Sequence, residues 1–186
     1  MRNSLFHHKS LVESENIGKK TRVWAFAHVM EHAYIGEDCN IGDHCFIEDN
    51  VRVGNRVTVK NGVSLWDGII IEDNVFVGPN AVFTNDLLPI SRIQKRPFEK
   101  TLVKKGACIG ANATILCGIT IGRYAFIGAG SLVTSDVSDY CLVYGNPAKP
   151  KGHLCACRKK LKFVGQKAFC RCGLCYQKIS NKVRAA

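Results

Sequence analysis

The chain contains no apolar run approaching the about 18 residues that a membrane-spanning helix needs, which excludes a helical membrane protein. Its first ten residues, MRNSLFHHKS, lack both an apolar core segment and a small-residue cleavage site, so no secretory signal is expected and the cytoplasm is the expected location. Only 5 prolines occur in 186 residues, too few for a proline-rich linker or a low-complexity chain. Asp and Glu are absent after residue 145, although the preceding part carries 15 of them. With 46% hydrophobic and 22% charged residues, what remains is a globular protein with one main core and room for a small appendage.

Charge and cysteine both divide the chain at the same place. Residues 1–145 balance 15 basic against 15 acidic side chains, whereas residues 146–186 hold 11 basic ones, so the whole +11 excess belongs to the tail. Five cysteines (39, 45, 108, 117 and 141) are scattered through the body and five crowd into positions 155–175. The first set reads as small buried hydrophobes in a reducing compartment, the second as a metal site by its density.

A six-residue period runs through the body. Steps of six from Leu11 reach Ile17, Val23, Val29, Ile35, Ile41, Ile47, Val53, Val59, Leu65, Ile71, Val77 and Phe83, and after an interruption the frame resumes from Val103 to Val133. All nineteen positions are apolar, a pattern expected by chance on the order of once in 10⁵ tries. The position four later is usually small or apolar, as at Ala27, Cys39, Val51, Val63, Ala107 and Ala125, and Gly often follows the aliphatic residue directly. This hexad predicts an all-β fold, a parallel β-helix in which each hexad forms one flat face and three make a coil. About six coils give a prism on the order of 30 Å tall. Hexapeptide repeats are associated with left-handed coiling and with trimers of parallel prisms, and both are expected here. The interruption, Leu88 to Leu102, holds two prolines and a basic cluster and is expected to leave the prism as a loop, of the kind that carries function on a rigid solenoid.

Longer segments narrow the class. VKNGVSLWDG (59–68), VFVGPNAVFTND (75–86), TLVKKGACIGANATILCGITIG (101–122) and GNPAK (145–149) resemble the left-handed β-helix nucleotide-sugar N-acetyltransferases. Within them the resemblance is closest to enzymes acetylating the 3-amino group of a UDP- or dTDP-linked amino sugar, whose type member acts on UDP-2-acetamido-3-amino-2,3-dideoxyglucuronate. The resemblance covers residues 11–150 and implies acetyl transfer from acetyl-CoA to a sugar amine, for lipopolysaccharide or another surface glycan, in a trimer with interfacial active sites.

The same resemblance implies site residues. An amine attacking a thioester must be neutral and positioned, and the developing oxyanion needs a donor. Asn85, in Thr84-Asn85-Asp86 at the edge of the loop, matches the family residue thought to orient the sugar amine, and in this family the departing thiolate has been proposed to take the proton. An Asn capping the last turn before the loop is the structural alternative. His44 is the candidate general base, with Glu48 four residues on; a solvated turn is the alternative. His28, Lys60, Trp66, Asp67 and Asp86 are candidate substrate contacts, although Trp66 also suits subunit packing. Gly110-Ala111 and Gly128-Ala129 match positions lining the pantetheine arm of CoA, and Lys149 and Lys151 are placed to meet its phosphates.

The period ends after Lys151, leaving residues 151–186 as a second, basic unit beside the prism of residues 1–150. Cys155 and Cys157 precede Cys170, Cys172 and Cys175 by a gap typical of a zinc ribbon, and four of these five are the expected ligands. The first pair lacks its usual glycine, Arg158 standing there instead. Nucleic acid is not expected as a partner, because aromatic residues are few in the tail and no recognised binding motif occurs. Two other readings stay open: a carbonic anhydrase-like metal site on the same fold built from His28, His32 and His44, and a prism acting as a scaffold for a nucleic-acid- or metal-binding tail.

Overall fold

Each hexad supplies two inward side chains, an aliphatic one and a small one, and burying both of them bends the chain into a three-sided coil. The structure, a computed structural model, describes residues 4–93, 97–180 and 182–186. Gln94, Lys95 and Arg96, which belong to the basic cluster of the interruption, lie outside the described residues. Every regular element among the described residues is a strand, most of them two residues long.

The strands fall on three faces. The first carries Leu5–Phe6, Arg22–Val23, Asn40–Ile41, Thr58–Val59, Phe76–Val77, Cys108–Ile109, Phe126–Ile127 and Cys141–Gly145 as eight parallel strands. The second runs from Leu11–Val12 through His28–Val29, Phe46–Ile47 and Ser64–Leu65 to Val82–Phe83, Thr114–Ile115 and Leu132–Val133. The third holds Tyr34–Ile35, Arg52–Val53, Ile69–Ile71, Thr101–Val103 and Thr120–Ile121. Residues eighteen apart pair directly, as in Ile41 with Val59 and Val59 with Val77, so like stacks on like along the interior. The aliphatic column and the small column, from Val23 to Val133, are nearly all inaccessible to solvent and form one continuous core.

Eight turns replace the about six expected from the repeat. The extra ones come from segments outside the six-residue frame: Phe6 pairs with Val23 after seventeen residues, and Val143 with Ile127 after sixteen. A similar shortening corrects the first expected position. Val12, not Leu11, pairs with Val29, and Leu11 is exposed, because a one-residue slip turns an inward side chain outward. The loop also ends earlier than expected. Thr101 and Leu102 belong to a strand of the third face, in register with Ile69 and Ile70. That step of thirty-two residues leaves fourteen beyond the usual eighteen as the excursion.

At most corners one residue takes the left-handed conformation. Between the first and second faces these are Phe26, His44, Gly62, Asn80, Asn112 and Gly130, all with φ between 54° and 73°. Asn and Gly suit that geometry, whereas Phe and His carry a conformational cost there.

The last parallel strand turns back at Ala148–His153, which pairs with it antiparallel. Lys167–Phe169, Cys175–Ile179 and Lys182–Ala185 then form a separate three-stranded antiparallel sheet. Its small core, of Cys155, Leu161, Ala168, Tyr176 and Val183, closes against Tyr140 of the last coil. Tyr140 stacks on Tyr124 at 5.4 Å and meets Tyr176 edge-on at 5.0 Å, so an aromatic pile joins the prism to the tail.

Because Ile71 stacks between Val53 and Val103 in adjacent coils and is almost wholly buried, Ile71→Ala is expected to cost about 2–5 kcal/mol. Ile70→Ala, on the outward side of the same strand, is expected to cost less than about 1.5 kcal/mol. Urea midpoints of the two variants, compared with the unchanged chain, check the difference.

Candidate functional site

The corner between the second and third faces gathers one group of the candidate residues. Asn85 and Asp86 follow Phe83 where the chain leaves the prism, and Trp66 and Asp67 occupy the same corner one coil earlier. The Thr84 hydroxyl accepts the Cys117 amide N–H at 3.0 Å, tying the start of the loop to the next coil. The returning loop is held at Glu99, whose N–H donates to the Asn85 carbonyl at 3.2 Å. It passes between Gly68 and Gly118, both with positive φ, and a Cβ on Gly68 would stand 3.1 Å from the Glu99 carbonyl oxygen. Together Asn85 to Leu88 and Pro97 to Glu99 line a cavity of about 260 Å³.

Hydrogen bonds sort these side chains. Asp86 Oδ1 accepts the Leu88 N–H at 2.8 Å, Glu48 Oε2 accepts the Asp67 N–H at 2.7 Å, and the Trp66 indole donates to the Phe83 carbonyl at 2.9 Å. All three therefore brace the corner whatever else they do. The half-buried Asn85 side chain makes no hydrogen bond to another described residue, so its amide is available to a ligand in the cavity. Among the described residues the charged groups lining that cavity are carboxylates, Asp86 and Glu99. Glu99 was not singled out from the sequence, since it lies in an aperiodic loop. The one sequence signal for it is indirect, in Gly68 and Gly118, the residues that make room for the strand carrying it.

His28 stands on the second face rather than at a corner, with Nε2 3.0 Å from Glu13 Oε2 and its ring edge-on to Phe46 at 5.4 Å. Phe46 in turn meets Trp66 at 5.6 Å, so a row of rings leads up the face toward the Asn85 corner.

His44 lies at the corner between the first and second faces, exposed and 4.9 Å from Phe26. Within one chain it is not brought together with Asn85. Lys60, Gly110-Ala111 and Gly128-Ala129 share the corner of His44. The glycines there have a reason in stacking alone: a Cβ on Gly110 would meet the Gly128 carbonyl carbon at 2.8 Å, and one on Gly78 the Ala111 nitrogen at 2.6 Å. Lys149 and Lys151 extend along the returning strand, with Lys151 Nζ 5.2 Å from the Tyr144 ring centre. His32 occupies a third place, a turn whose N–H is held by Asp49. His28, His32 and His44 thus do not converge in one chain.

In the tail the sulfurs of Cys155, Cys157, Cys170 and Cys172 all lie within 4.8 Å of one another, with Cys155 to Cys172 at 3.4 Å and Cys157 to Cys170 at 3.5 Å. Four thiolates around zinc stand about 3.8 Å apart at a metal-sulfur distance of about 2.3 Å, so the set fits a tetrahedral zinc ion. Cys175, the fifth candidate, is outside the group and sits in the strand Cys175–Ile179. Burial raises the Cys155 thiol, but the donated hydrogen bonds of the Tyr176 hydroxyl (3.1 Å) and the Cys157 N–H outweigh it and bring it down to about 6. By contrast burial pushes the core thiols of Cys39, Cys108 and Cys141 up, and Cys45 to about 11, as inert interior residues. Arg158 adopts φ 71°, the conformation glycine usually supplies, and its guanidinium donates to the Gly106 carbonyl at 2.6 Å and the Tyr124 carbonyl at 3.3 Å. The missing glycine of the first pair is thereby replaced by a clamp onto the prism.

Comparisons with known proteins agree with this geometry. The bacterial transferase hexapeptide family (six repeats) matches residues 16–49 and 100–135, and the hexapeptide repeat of succinyl-transferase matches residues 33–66 and 68–90. A dTDP-3-amino-3,6-dideoxy-alpha-D-galactopyranose 3-N-acetyltransferase from Aneurinibacillus thermoaerophilus is 56% identical over 171 residues, covering 92% of this chain and 89% of its own length. The galactoside O-acetyltransferase of Lactococcus lactis is 35% identical over 40% of this chain and 38% of its own. Among solved structures, a hexapeptide-repeat acetyltransferase from Vibrio cholerae complexed with acetyl-CoA superposes with a TM-score of 0.55 and 27% identity, covering 64% of this chain and 69% of that one. Identity sustained over nearly the whole length, on a prism built mainly of hexad repeats, makes this chain a member of the hexapeptide-repeat acetyltransferases.

Proposed function

We propose that the protein transfers acetyl from acetyl-CoA to the 3-amino group of a dTDP-linked 3-amino-3,6-dideoxyhexose destined for a surface glycan. The observation that carries this reading is the 56% identity with the Aneurinibacillus enzyme across the prism and loop. The cavity beside Asn85 supports it independently. Among the described residues its charged groups are Asp86 and Glu99, which suit a sugar amine and hydroxyls and would repel the carboxylate of a uronate. A UDP-linked sugar differs from the dTDP-linked one in the base methyl group and the 2′-hydroxyl of the pentose and is the second substrate to test. With acetyl-CoA as donor, the reaction belongs in the cytoplasm, and no helix among the described residues is long and apolar enough to cross a membrane.

The chemistry needs a neutral amine held against the thioester carbonyl. In this reading the Asn85 amide accepts a hydrogen bond from the sugar amine and fixes its lone pair on the acetyl carbon. The nitrogen-carbon bond forms, the carbon-sulfur bond breaks, and the proton lost by nitrogen passes to the departing thiolate. An amide is no base, so this route asks of Asn85 only orientation. His44 and the pantetheine-lining Gly110-Ala111 and Gly128-Ala129 lie at a different corner from Asn85. A trimer with parallel axes would bring that corner of one protomer to the Asn85 corner of the next. The exposed Leu87, Leu88, Ile90 and Ile93 of the loop support such an interface. Lys149 and Lys151 then meet the phosphates of CoA.

The two-unit division, a catalytic prism to about residue 150 and a ribbon beyond it, belongs to the same reading. Cys155, Cys157, Cys170 and Cys172 would hold a structural zinc ion that supplies the folding energy so small a sheet lacks.

Asn85→Ala is expected to lower kcat about 10²- to 10³-fold with the oligomer intact by sedimentation, and unchanged turnover would remove Asn85 from the mechanism. Thiol release from acetyl-CoA with a panel of dTDP- and UDP-linked 3-amino and 4-amino sugars should give an N-acetyl product with the dTDP-linked 3-amino-6-deoxy sugar. Silence with that compound would sink the substrate assignment. Elemental analysis should find one zinc per chain, absent from the Cys155→Ser, Cys157→Ser double variant and retained in Cys175→Ser.

A further inference from the structure

A cavity of about 680 Å³ lies away from the Asn85 corner, on the third face, where the final strand of the ribbon lies over the last coils. One wall is prism, with Lys104, Arg123, Asp136 and Asp139, and the other is the strand Lys182–Ala185, with Lys182 and Arg184 flanking the buried Val183. Four cations therefore face one cleft, two from the prism and two from the ribbon. Among the described residues none of the four side chains makes an ion pair or a hydrogen bond. The two carboxylates are otherwise engaged: Asp136 Oδ1 accepts the Thr120 N–H and Asp139 Oδ1 the Arg123 N–H, each at 2.7 Å. Backbone dipoles absorb part of their charge, and the lining still keeps a net +2.

Cations left unpaired around a concave space of nucleotide size call for an anion with several acceptor oxygens. We propose that this cleft binds a phosphate-bearing small molecule, the ribbon contributing Lys182 and Arg184 as one jaw and the prism Lys104 and Arg123 as the other. The cleft is separate from the candidate acetyl-transfer corners. Thr120 and Val137 put it on the third face, whereas Gly110 and Gly128 edge the corner between the first and second. It also gives the tail's basic charge a use: Val183 anchors the strand in the ribbon core, and the alternating Lys182 and Arg184 are thereby turned together toward the prism.

The probe is inorganic pyrophosphate, titrated calorimetrically at low salt into the full-length, metal-loaded protein and into the Lys182→Ala, Arg184→Ala double variant. Binding should weaken at least about tenfold in the variant, with zinc content and far-ultraviolet circular dichroism unchanged, because two charge-assisted contacts are lost. Repeating both titrations with saturating CoA separates two sources of the phosphate. If CoA blocks the difference, and CoA itself binds the variant more weakly, the cleft takes the phosphate end of CoA; if the difference persists, it takes a separate phosphorylated ligand. Equal pyrophosphate affinity in the two proteins, or no binding to the unchanged one, overturns the proposal. Acetyl transfer at saturating substrates is a separate readout, so a failure of the substrate assignment leaves this test standing.

Discussion

Everything in this molecule rests on the stacking of one hexad on the hexad eighteen residues away. The aliphatic side chain of each strand meets its counterpart above and below, while the backbone of each coil bonds to the next, as Gly42 does to Val59 and Gly54 to Ile71. Two-residue strands have no stability alone. Repetition turns them into a rod whose interior is saturated and whose geometry barely depends on what the outward residues are. The corners are then free to carry polar, aromatic or left-handed residues, and it is at the corners that the chemistry gathers. The excursion after Phe83 illustrates the principle: fourteen extra residues leave the rod, yet Ile71 still pairs with Val103 and Phe83 with Ile115 across the gap.

Because the coils above and below are rigid, the loop is positioned by a few contacts at its ends. Thr84 is tied to Cys117, Glu99 to the Asn85 carbonyl, and Thr101 to Gly68. The returning segment passes closest at Gly68, where a Cβ would press on the Glu99 carbonyl oxygen at 3.1 Å, whereas a Cβ on Gly118 would meet the Glu99 carboxylate at an ordinary contact distance of 3.5 Å. Such bracing explains why Asp86, Glu48 and Trp66 spend polar atoms on backbone groups: they hold the Asn85 corner open and leave its amide unsatisfied.

The period of six revealed the core almost residue by residue, since burial repeats with the sequence. Where the period fails, sequence reading failed too, and for a physical reason in each case. Leu11 fits the arithmetic of the repeat but not the geometry, because the coil between Val12 and Ile17 is one residue short. The turns contributed by Leu5–Phe6 and Cys141–Gly145 went uncounted for the same cause. Glu99 had no periodic neighbour to reveal it. His44 reads in sequence as a polar group near an active site, whereas in the fold its backbone fills a left-handed turn that Gly62, Asn80 and Asn112 fill in other coils. Spacing narrowed the zinc ligands only to four of five cysteines. The choice among them rests on Gly173, whose positive φ makes the tight turn after Cys172 and sends Cys175 into the next strand.

The arrangement of the corners bears on assembly more directly than any exposed patch does. A rod of triangular section presents three edges, and this chain places an unsatisfied amide and two carboxylates on one, and a histidine, a lysine and a glycine-lined groove on another. No bending of a single rod can bring two of its own edges together, for the interior column fixes their separation. A reaction needing both sets of groups must therefore take them from different copies. The third edge is left for the ribbon, which is clamped there by Arg158 and by the pile of Tyr124, Tyr140 and Tyr176. An appendage at either of the other edges would cover one of these two sets of groups. Its seat on the third edge is the one that leaves the Asn85 edge and the His44 edge both uncovered.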